Sequence, residues 1–327
     1  MYVNYNVFNS TLTHKFNYKL TLSGGVKGSI YKSKNFKVVD DLLGGEFWVD
    51  IDQFAERDIA DPDAAQTDLN NPNRAVKVGD KFGYDYDINI NTFNLYAQLD
   101  GTSAKIDWFL GTSATYTSFW RTGNVKNGLF PENSFGDSEK QNFTNFGAKA
   151  GVVYKLTGRH LLTVNGAFLT RAPLARNSFL SPRTRHEVID GLENEKILSG
   201  DFNYIVRYPK VKTRATVFYT SIQDKLWSRN FYHDELTYNS RPTATVTQDN
   251  STKLLEENKT IYLKNYKIGE SPQTVSSIGL RYRSPKYWFV GADFNYFADI
   301  YLQVNPDRRT EEALANFVDT DPQVDGI

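Results

Sequence analysis

The sequence contains no cysteine and only four histidines in 327 residues. The missing cysteines exclude disulfides, thiolate nucleophiles and cysteine-based metal sites, which suits a protein that crosses an oxidising compartment with nothing to pair. No two of the histidines have a spacing that would place them on one face toward zinc. They are His14, His160, His186 and His233. We therefore predict no metal site and no cofactor.

Long apolar runs and an excess of one charge are also missing. No run approaches the roughly 18 apolar residues of a membrane-spanning helix, so any crossing of a bilayer must be made by a closed set of strands. The 38 Lys and Arg residues balance the 38 Asp and Glu residues, which gives no electrostatic reason to expect nucleic acid as a partner. The first residues lack a basic region followed by an apolar core, so they are not a signal peptide.

Aromatic residues, by contrast, are abundant. The chain has 20 Tyr, 22 Phe and 5 Trp, together 14% of its residues, and such rings favour strands. Mean hydropathy is nevertheless negative. This combination is typical of a wall with one apolar face, one wet face and long polar loops. A soluble β-sandwich has a similar composition and stays open as an alternative.

Strict alternation of apolar and polar residues marks the strands. It is plainest around Asp100-Gly101, a two-residue hairpin signal. Apolar residues share one face on each side of this pair: Phe93, Leu95, Ala97 and Leu99 before it, and Ala104, Ile106, Trp108, Leu110, Ala114 and Tyr116 after it. The pattern recurs with turns at residues 156–159, 209–210 and 284–286, and with an early turn at 9–11. It predicts roughly ten strands in about five hairpins.

The connections are of two lengths. Hairpin turns of two to four residues alternate with long polar stretches at about residues 33–83, 122–142, 172–198 and 224–275. Transmembrane barrels combine short periplasmic turns with long extracellular loops, whereas soluble domains seldom keep several long structureless connections. Trp108 and Tyr116 lie eight positions apart on one face, as do Trp288 and Tyr296. Eight tilted residues climb roughly 20 Å, close to the apolar band between aromatic girdles.

The middle of the chain carries an Arg-x-Pro element at a strand end, then a loop, then an acidic segment that opens the next strand. The Arg-x-Pro element lies in residues 168–173 and the loop in residues 177–185. The acidic segment and the strand that it opens lie in residues 191–196 and 199–204. Their order resembles the mid-barrel signature of TonB-dependent receptors. Residues 40–45, 296–301 and 305–310 are similar to the branch of that family with an N-terminal carboxypeptidase-regulatory-like domain.

The resemblance implies an all-β fold, a transmembrane antiparallel β-barrel, with about ten strands of a larger barrel of about 22 and therefore an open fragment. Residues 1–327 would be part of one β-barrel domain, with the plug domain and the final strand absent. The implied function is energy-coupled uptake of a nutrient ligand across the outer membrane of a Gram-negative bacterium. Implied partners are outer-membrane lipid, the plug domain and, through a missing N-terminal region, the TonB energy-coupling complex.

Other functions stay open beside this one: a passive porin or adhesin barrel, or a soluble all-β glycan-binding domain. Enzymatic activity is not expected, because the sequence has no Gly-x-Ser-x-Gly elbow, no cysteine nucleophile and no zinc-binding helix. A loop rich in aspartate is a candidate calcium site, with Asp50, Asp52, Asp58, Asp61, Asp63 and Asp68. Its spacing lacks the turn glycine and closing glutamate of a helix-loop-helix site, which favours a solvated acidic loop.

Two sets of residues are candidates for ligand contact. Charged residues opposite the apolar faces are expected to point into the lumen, toward a plug or a passing ligand or only toward water: Lys149, Asp201, Arg214, Arg281 and Asp293. In the last long loop, aromatic rings cluster with a donor: Trp227, Phe231, Tyr232 and Arg229. Such a cluster is suited to stack on and hydrogen-bond a polar organic ligand, such as a glycan or a peptide. Alternatively, these rings only pin the loop to its neighbours.

Overall fold

The structure, a computed structural model, describes residues 1–226, 272–284 and 286–302. The chain divides into two units, residues 1–228 with 276–295, and residues 229–275 with 296–327. Of the second unit, the structure describes residues 272–275 and 296–302. The strands are β1 (Tyr2–Asn17), β2 (Leu20–Val38), β3 (Trp48–Val49), β4 (Ala75–Val76), β5 (Lys81–Thr102), β6 (Ile106–Gly123), β7 (Gly136–Asp137), β8 (Gln141–Lys155), β9 (His160–Arg171), β10 (Glu195–Arg207), β11 (Val211–Gln223), β12 (Pro272–Arg283) and β13 (Phe289–Ile300).

Ten long strands form one antiparallel meander, which confirms the predicted number. Their order is β1-β2-β5-β6-β8-β9-β10-β11-β12-β13, with the short β7 beside β6, while β3 and β4 pair separately. Within the described ranges the helices are few and short: α1 (Gln53–Asp58) and α2 (Ala175–Ser178). No helix in the described part of the chain is long and apolar enough to cross a membrane.

Short and long connections lie at opposite ends of the meander, as the sequence predicts. Strand pairs close with short turns at residues 18–19, 103–105, 156–159, 208–210 and 284–288. The connections at the other end run over residues 39–80, 124–140, 172–194 and 224–271, of which the last is described only to residue 226. The elements β3, β4, β7, α1 and α2 all lie within these long connections.

The predicted turn at residues 9–11 was wrong. Strand β1 continues through this segment, where Asn9 pairs with Lys27 and Thr11 with Gly25. The turn lies at residues 18–19 instead, where the side-chain oxygen of Asn17 accepts the backbone N–H of Lys19 at 2.7 Å. A run of small polar residues indicates a turn in a soluble hairpin, but in a strand with one wet face it also supplies ladder residues.

The predicted Asp100-Gly101 turn was also misplaced. Strand β5 runs through both residues to Thr102, and the chain reverses at residues 103–105. There the Ser103 backbone N–H donates to the Ile106 carbonyl at 2.8 Å, and the Ile106 N–H donates to the Ser103 hydroxyl at 3.1 Å. Gly101 serves another purpose, because a Cβ at this position would lie 2.2 Å from the Trp108 indole, its cross-strand partner.

One face of the sheet is apolar from strand to strand. The cross-strand register places directly opposite one another the residues Trp108, Val152, Val164, Phe202 and Val217. The next rows are similar, and their side chains stay open to the surroundings: Leu110 is 56% exposed and Leu198 is 52% exposed. An exposed apolar surface of this extent needs an apolar environment. We call this surface the apolar face, and the alternation that predicted it is confirmed.

The apolar face ends along one row of residues near the long connections. That row contains Phe8, Gly28, Phe93 and Tyr116. Two residues further along β1, β5 and β6 the same face carries Asn6, Asn91 and Ser118, while β2 still carries Ile30. The next positions on β1, β2 and β5 are Asn4, Lys32 and Asn89. We call this transition the boundary row.

Candidate ligand path

The five charged residues predicted to point inward lie on the polar face of the sheet, opposite the apolar face. The cross-strand register places Asp201 opposite Asn165, and Asn165 opposite Gly151, which lies across from Phe109. Lys149 and Asp293 project over glycines of neighbouring strands, since a Cβ at Gly111 or Gly279 would meet their side chains at 2.8 and 2.7 Å. Arg281 lies opposite Lys212.

Two of the five are joined by a hydrogen-bonded ladder across strands β9, β10 and β11. The Asp201 carboxylate accepts Asn165 Nδ2 at 2.9 Å and also the Asn203 amide. The Asn203 Oδ1 atom accepts Arg214 Nη2 at 2.7 Å and the Thr216 hydroxyl at 2.7 Å. Asn203 is only 1% exposed, so this acceptor is fully used within the wall. The ladder joins a carboxylate and a guanidinium through one amide.

The Arg-x-Pro element and the acidic segment meet in the structure. Arg171, the last residue of β9, lies directly opposite Glu195, the first residue of β10. The guanidinium donates to Glu195 Oε2 through Nε at 3.0 Å and through Nη2 at 2.5 Å. Glu195 is 1% exposed, so the arginine compensates a buried charge. The pair closes the base of the 23-residue connection between the two strands.

Arg121, near the end of β6, holds two long connections against the sheet. Its Nε donates to the Pro182 carbonyl at 2.6 Å, and its Nη1 donates to the Ser134 carbonyl at 2.8 Å. The guanidinium also lies over the Tyr86 ring, 5.4 Å from its centroid, and the residue is 1% exposed. We call residues 124–140 and 172–194, which Arg121 joins, the loop platform.

His186 belongs to the same arrangement. Its Nδ1 accepts Arg121 Nη1 at 2.9 Å, while its Nε2 faces the Phe135 carbonyl at 3.3 Å. This geometry assigns the ring proton to Nε2, because a carbonyl can only accept. Burial lowers the pKa of His186; the charge of Arg121 acts in the same direction, against the Phe135 carbonyl and Asp137. The ring is therefore a neutral acceptor at neutral pH.

Beneath the loop platform the polar face becomes apolar. Residues from the strand ends pack with residues from the 172–194 connection to form a buried cluster: Ile88, Phe119, Phe143, Ala175 and Phe179. The Phe119 and Phe143 rings stack with centroids 5.6 Å apart, and Phe179 meets Phe119 edge-on at 6.2 Å. Neither Arg121 nor this cluster is predicted from the sequence. The only local signal was an apolar residue on the polar side of β6.

The aspartate-rich loop uses its carboxylates to fold itself. Asp50 pairs with Arg74 at 2.6 Å and accepts the backbone N–H of Gly83 at 2.8 Å, and Asp52 caps α1. Asp68 accepts the Asn71 amide and the Lys126 backbone N–H. Within the described residues, no group of three or more potential ligands is arranged to hold a metal ion.

The predicted ring cluster lies outside the described residues. It consists of Trp227, Phe231, Tyr232 and Arg229.

Comparison with known proteins identifies the fold. No family model matches the chain, and no curated protein matches it. Among solved structures it is similar to the copper transporter OprC, with 11% identity and a TM-score of 0.52 over 90% of this chain and 37% of that one. It is also similar to the ferric-catecholate import receptor Fiu from E. coli K12. The closed form of Fiu gives 12% identity, a TM-score of 0.47 and 90% and 44% coverage, and the open form gives 10%, 0.37, 90% and 40%.

The chain thus spans less than half the length of these structures. Identity is low, so the likeness to OprC speaks for fold and not for ligand. It agrees with the antiparallel meander, the exposed apolar face and the two lengths of connection. The chain has the fold of part of a transmembrane antiparallel β-barrel, as found in TonB-dependent receptors.

Proposed function

We propose that the chain is part of the wall of an energy-coupled nutrient importer in the outer membrane of a Gram-negative bacterium. Transport, not catalysis, is the activity that this implies. The importer would work with a plug domain, a TonB energy-coupling complex and a nutrient ligand. Residues 1–327 would form part of a single barrel domain.

One observation carries this proposal: the sheet has an apolar face fit for lipid and, behind it, a polar face with ordered charges. Asp201 and Arg214 are held in place through Asn203, so neither is free to collapse onto the other. Fixed charges of both signs on a lumen wall can hydrogen-bond a plug surface or a passing polar ligand without reorganising. We assign the same role to Lys149, Arg281 and Asp293.

The rival function is passive diffusion through a porin. The loop platform supports the importer instead, because it is anchored on the polar face of β6. There Phe179 packs onto Phe119, and Arg121 donates to the Pro182 carbonyl. Segments folded over that face obstruct a pore and offer a surface for recognition.

The test is uptake by cells that carry the intact protein as their only route for the probe. Labelled copper, a ferric catecholate, cyanocobalamin and a maltooligosaccharide would be supplied with and without a protonophore. We expect one probe class to accumulate above the external concentration and to lose that accumulation when the protonophore is added. Uptake that the protonophore leaves unchanged would favour the porin and contradict the proposal.

Variants in the last long loop extend the same assay. If Trp227 and Tyr232 stack on the ligand, Trp227→Ala or Tyr232→Ala should weaken its apparent affinity about tenfold, as expected for the loss of one well-packed ring contact. Phe231 would contribute in the same way, and Arg229 would donate hydrogen bonds to the ligand. Unchanged affinity at normal surface expression would leave these residues with a role in loop packing only.

A further inference from the structure

A groove of about 490 Å³ crosses the apolar face over strands β1, β2, β5 and β6. Gly28 lies at its centre, with Phe8 opposite on β1 and Phe93 opposite on β5. Ile30 and Tyr116 complete the apolar lining. The groove lies on the boundary row, where the apolar face meets polar residues.

The groove exists because Gly28 has no side chain. A Cβ at this position would have no heavy atom within 4 Å, although large rings stand on both sides. Phe8 and Phe93 are 65% and 54% exposed, so the rings form walls without closing over the glycine. The two rings stand on strands that flank β2 and are therefore about 10 Å apart, which leaves room for one hydrocarbon chain between them.

Polar groups lie at the end of the groove nearest the long connections. The amides of Asn6 and Asn91 line it there, and the Tyr116 hydroxyl binds Asn142 at 2.8 Å. Further along β2 and on the same face, Lys32 pairs with Asp87 at 2.8 Å, and the exposed Lys34 follows. Along the wall, hydrocarbon is therefore followed by amides, then by the Lys32–Asp87 ion pair and the ammonium group of Lys34.

We infer that this groove binds lipopolysaccharide, with one acyl chain against Gly28 and its phosphorylated sugars against the amides and Lys34. The inference rests on the proposed function, which places the apolar face in the outer membrane with the long connections outward. The groove is continuous with the lipid-facing surface, so its occupant carries a hydrocarbon chain. The bilayer leaflet at this end of the strands supplies it.

The polar end selects the head group. Amide side chains donate and accept hydrogen bonds, as sugar hydroxyls require, and an ammonium group binds phosphate. A phospholipid offers a phosphate but no sugar hydroxyls for Asn6 and Asn91. Because lipid tails already surround the wall, the acyl chain gains only packing contacts from the groove. The head group must therefore supply most of the selectivity.

The first test fills the groove. The intact protein would be purified from outer membranes in mild detergent, and retained lipid would be counted by native mass spectrometry. Gly28→Leu should lower retained lipopolysaccharide roughly fivefold, because the leucine side chain would occupy the space of the acyl chain. Gly166→Leu is the matched control: this glycine lies on the same face, also has nothing within 4 Å of its Cβ, and should leave retention unchanged. Heat-modifiable migration would show that both variants fold.

The second test addresses the head group. Lys34→Gln should lower lipopolysaccharide retention about fivefold, the effect of one cationic side chain near an anionic lipid. Lys27→Gln is the control, because Lys27 lies on the opposite face of the same strand. Re-addition of purified lipopolysaccharide or of phosphatidylglycerol to delipidated protein would compare the two sources of phosphate directly.

Several outcomes would overturn the inference. Equal retention by Gly28→Leu and the unsubstituted protein would show that the groove is not the site, and preferential retention of phosphatidylglycerol would exclude lipopolysaccharide. Failure of the proposed function itself would look different: protonophore-insensitive uptake by a protein that still retains lipopolysaccharide at Gly28 would remove the importer but not the groove.

Discussion

Replacing Arg121 with methionine should release the loop platform from the strands. The change leaves the buried Pro182 and Ser134 carbonyls without a hydrogen-bond donor. Each unsatisfied group costs about 1–3 kcal/mol. We expect local opening of residues 124–140 and 172–194 to become easier by about 3 kcal/mol, which raises their amide hydrogen exchange on the order of a hundredfold. Hydrogen exchange of the intact protein in detergent micelles would measure it.

Arg159→Met is the matched control for this substitution. Arg159 lies in the short turn between β8 and β9, exposed over the Tyr208 ring, at the opposite end of the strands from the platform. It should leave exchange in both connections unchanged. Equal protection of the platform in Arg121→Met and the unsubstituted protein would mean that the apolar cluster around Phe119 alone holds these segments.

A charge placed midway along the apolar face should destabilise the wall strongly. Ala148 lies between the Trp108 and Tyr116 rows, opposite Thr112 and Phe168, and its side chain is exposed. Ala148→Arg removes almost no packing, so its cost is that of an arginine in lipid. We expect about 2–4 kcal/mol, the value for the bilayer midplane of a transmembrane barrel, from urea unfolding in phospholipid bilayers.

Two controls separate depth from face. Thr144→Arg lies on the same strand and face but at the boundary row, where the expected cost falls to about 0–1 kcal/mol. Ser113→Arg lies on the polar face at almost the same depth, opposite Tyr96 and Gly147, and should also cost little. A large cost at all three positions would mean that both faces are buried by protein, as in a sandwich.

Much of the wall could be predicted from sequence because its code is local. In a strand with one face in lipid, apolar and polar residues alternate strictly. The positions of Trp108, Leu110 and Tyr116 therefore predict both the strand and which of its faces is apolar. Turns were harder, because Asn9 and Thr11 on a wet strand face look like turn residues. Gly101 misled in the same way, since its small size makes room for the Trp108 indole and not for a bend.

The loop platform could not be predicted, because its contacts join residues that are distant in sequence. Arg121 and Pro182 are 61 positions apart, and nothing near either residue signals the other. For the pair of Arg171 and Glu195, the sequence identified both residues as part of the motif that resembles the family, but it did not predict that they contact each other. The groove at Gly28 depends on which residues the register places beside a glycine, and the alternation alone does not fix that.

A cysteine scan along β10 tests most directly whether the sheet separates lipid from water. The chain has no native cysteine, so each single substitution reports on one position. In intact outer membranes, a water-soluble maleimide should label alternate positions of the intact protein. We expect labelling at 197, 199, 201 and 205 and protection at 198, 200, 202 and 204. Labelling of both sets, or of neither, would contradict a wall with one face in lipid and the other in water.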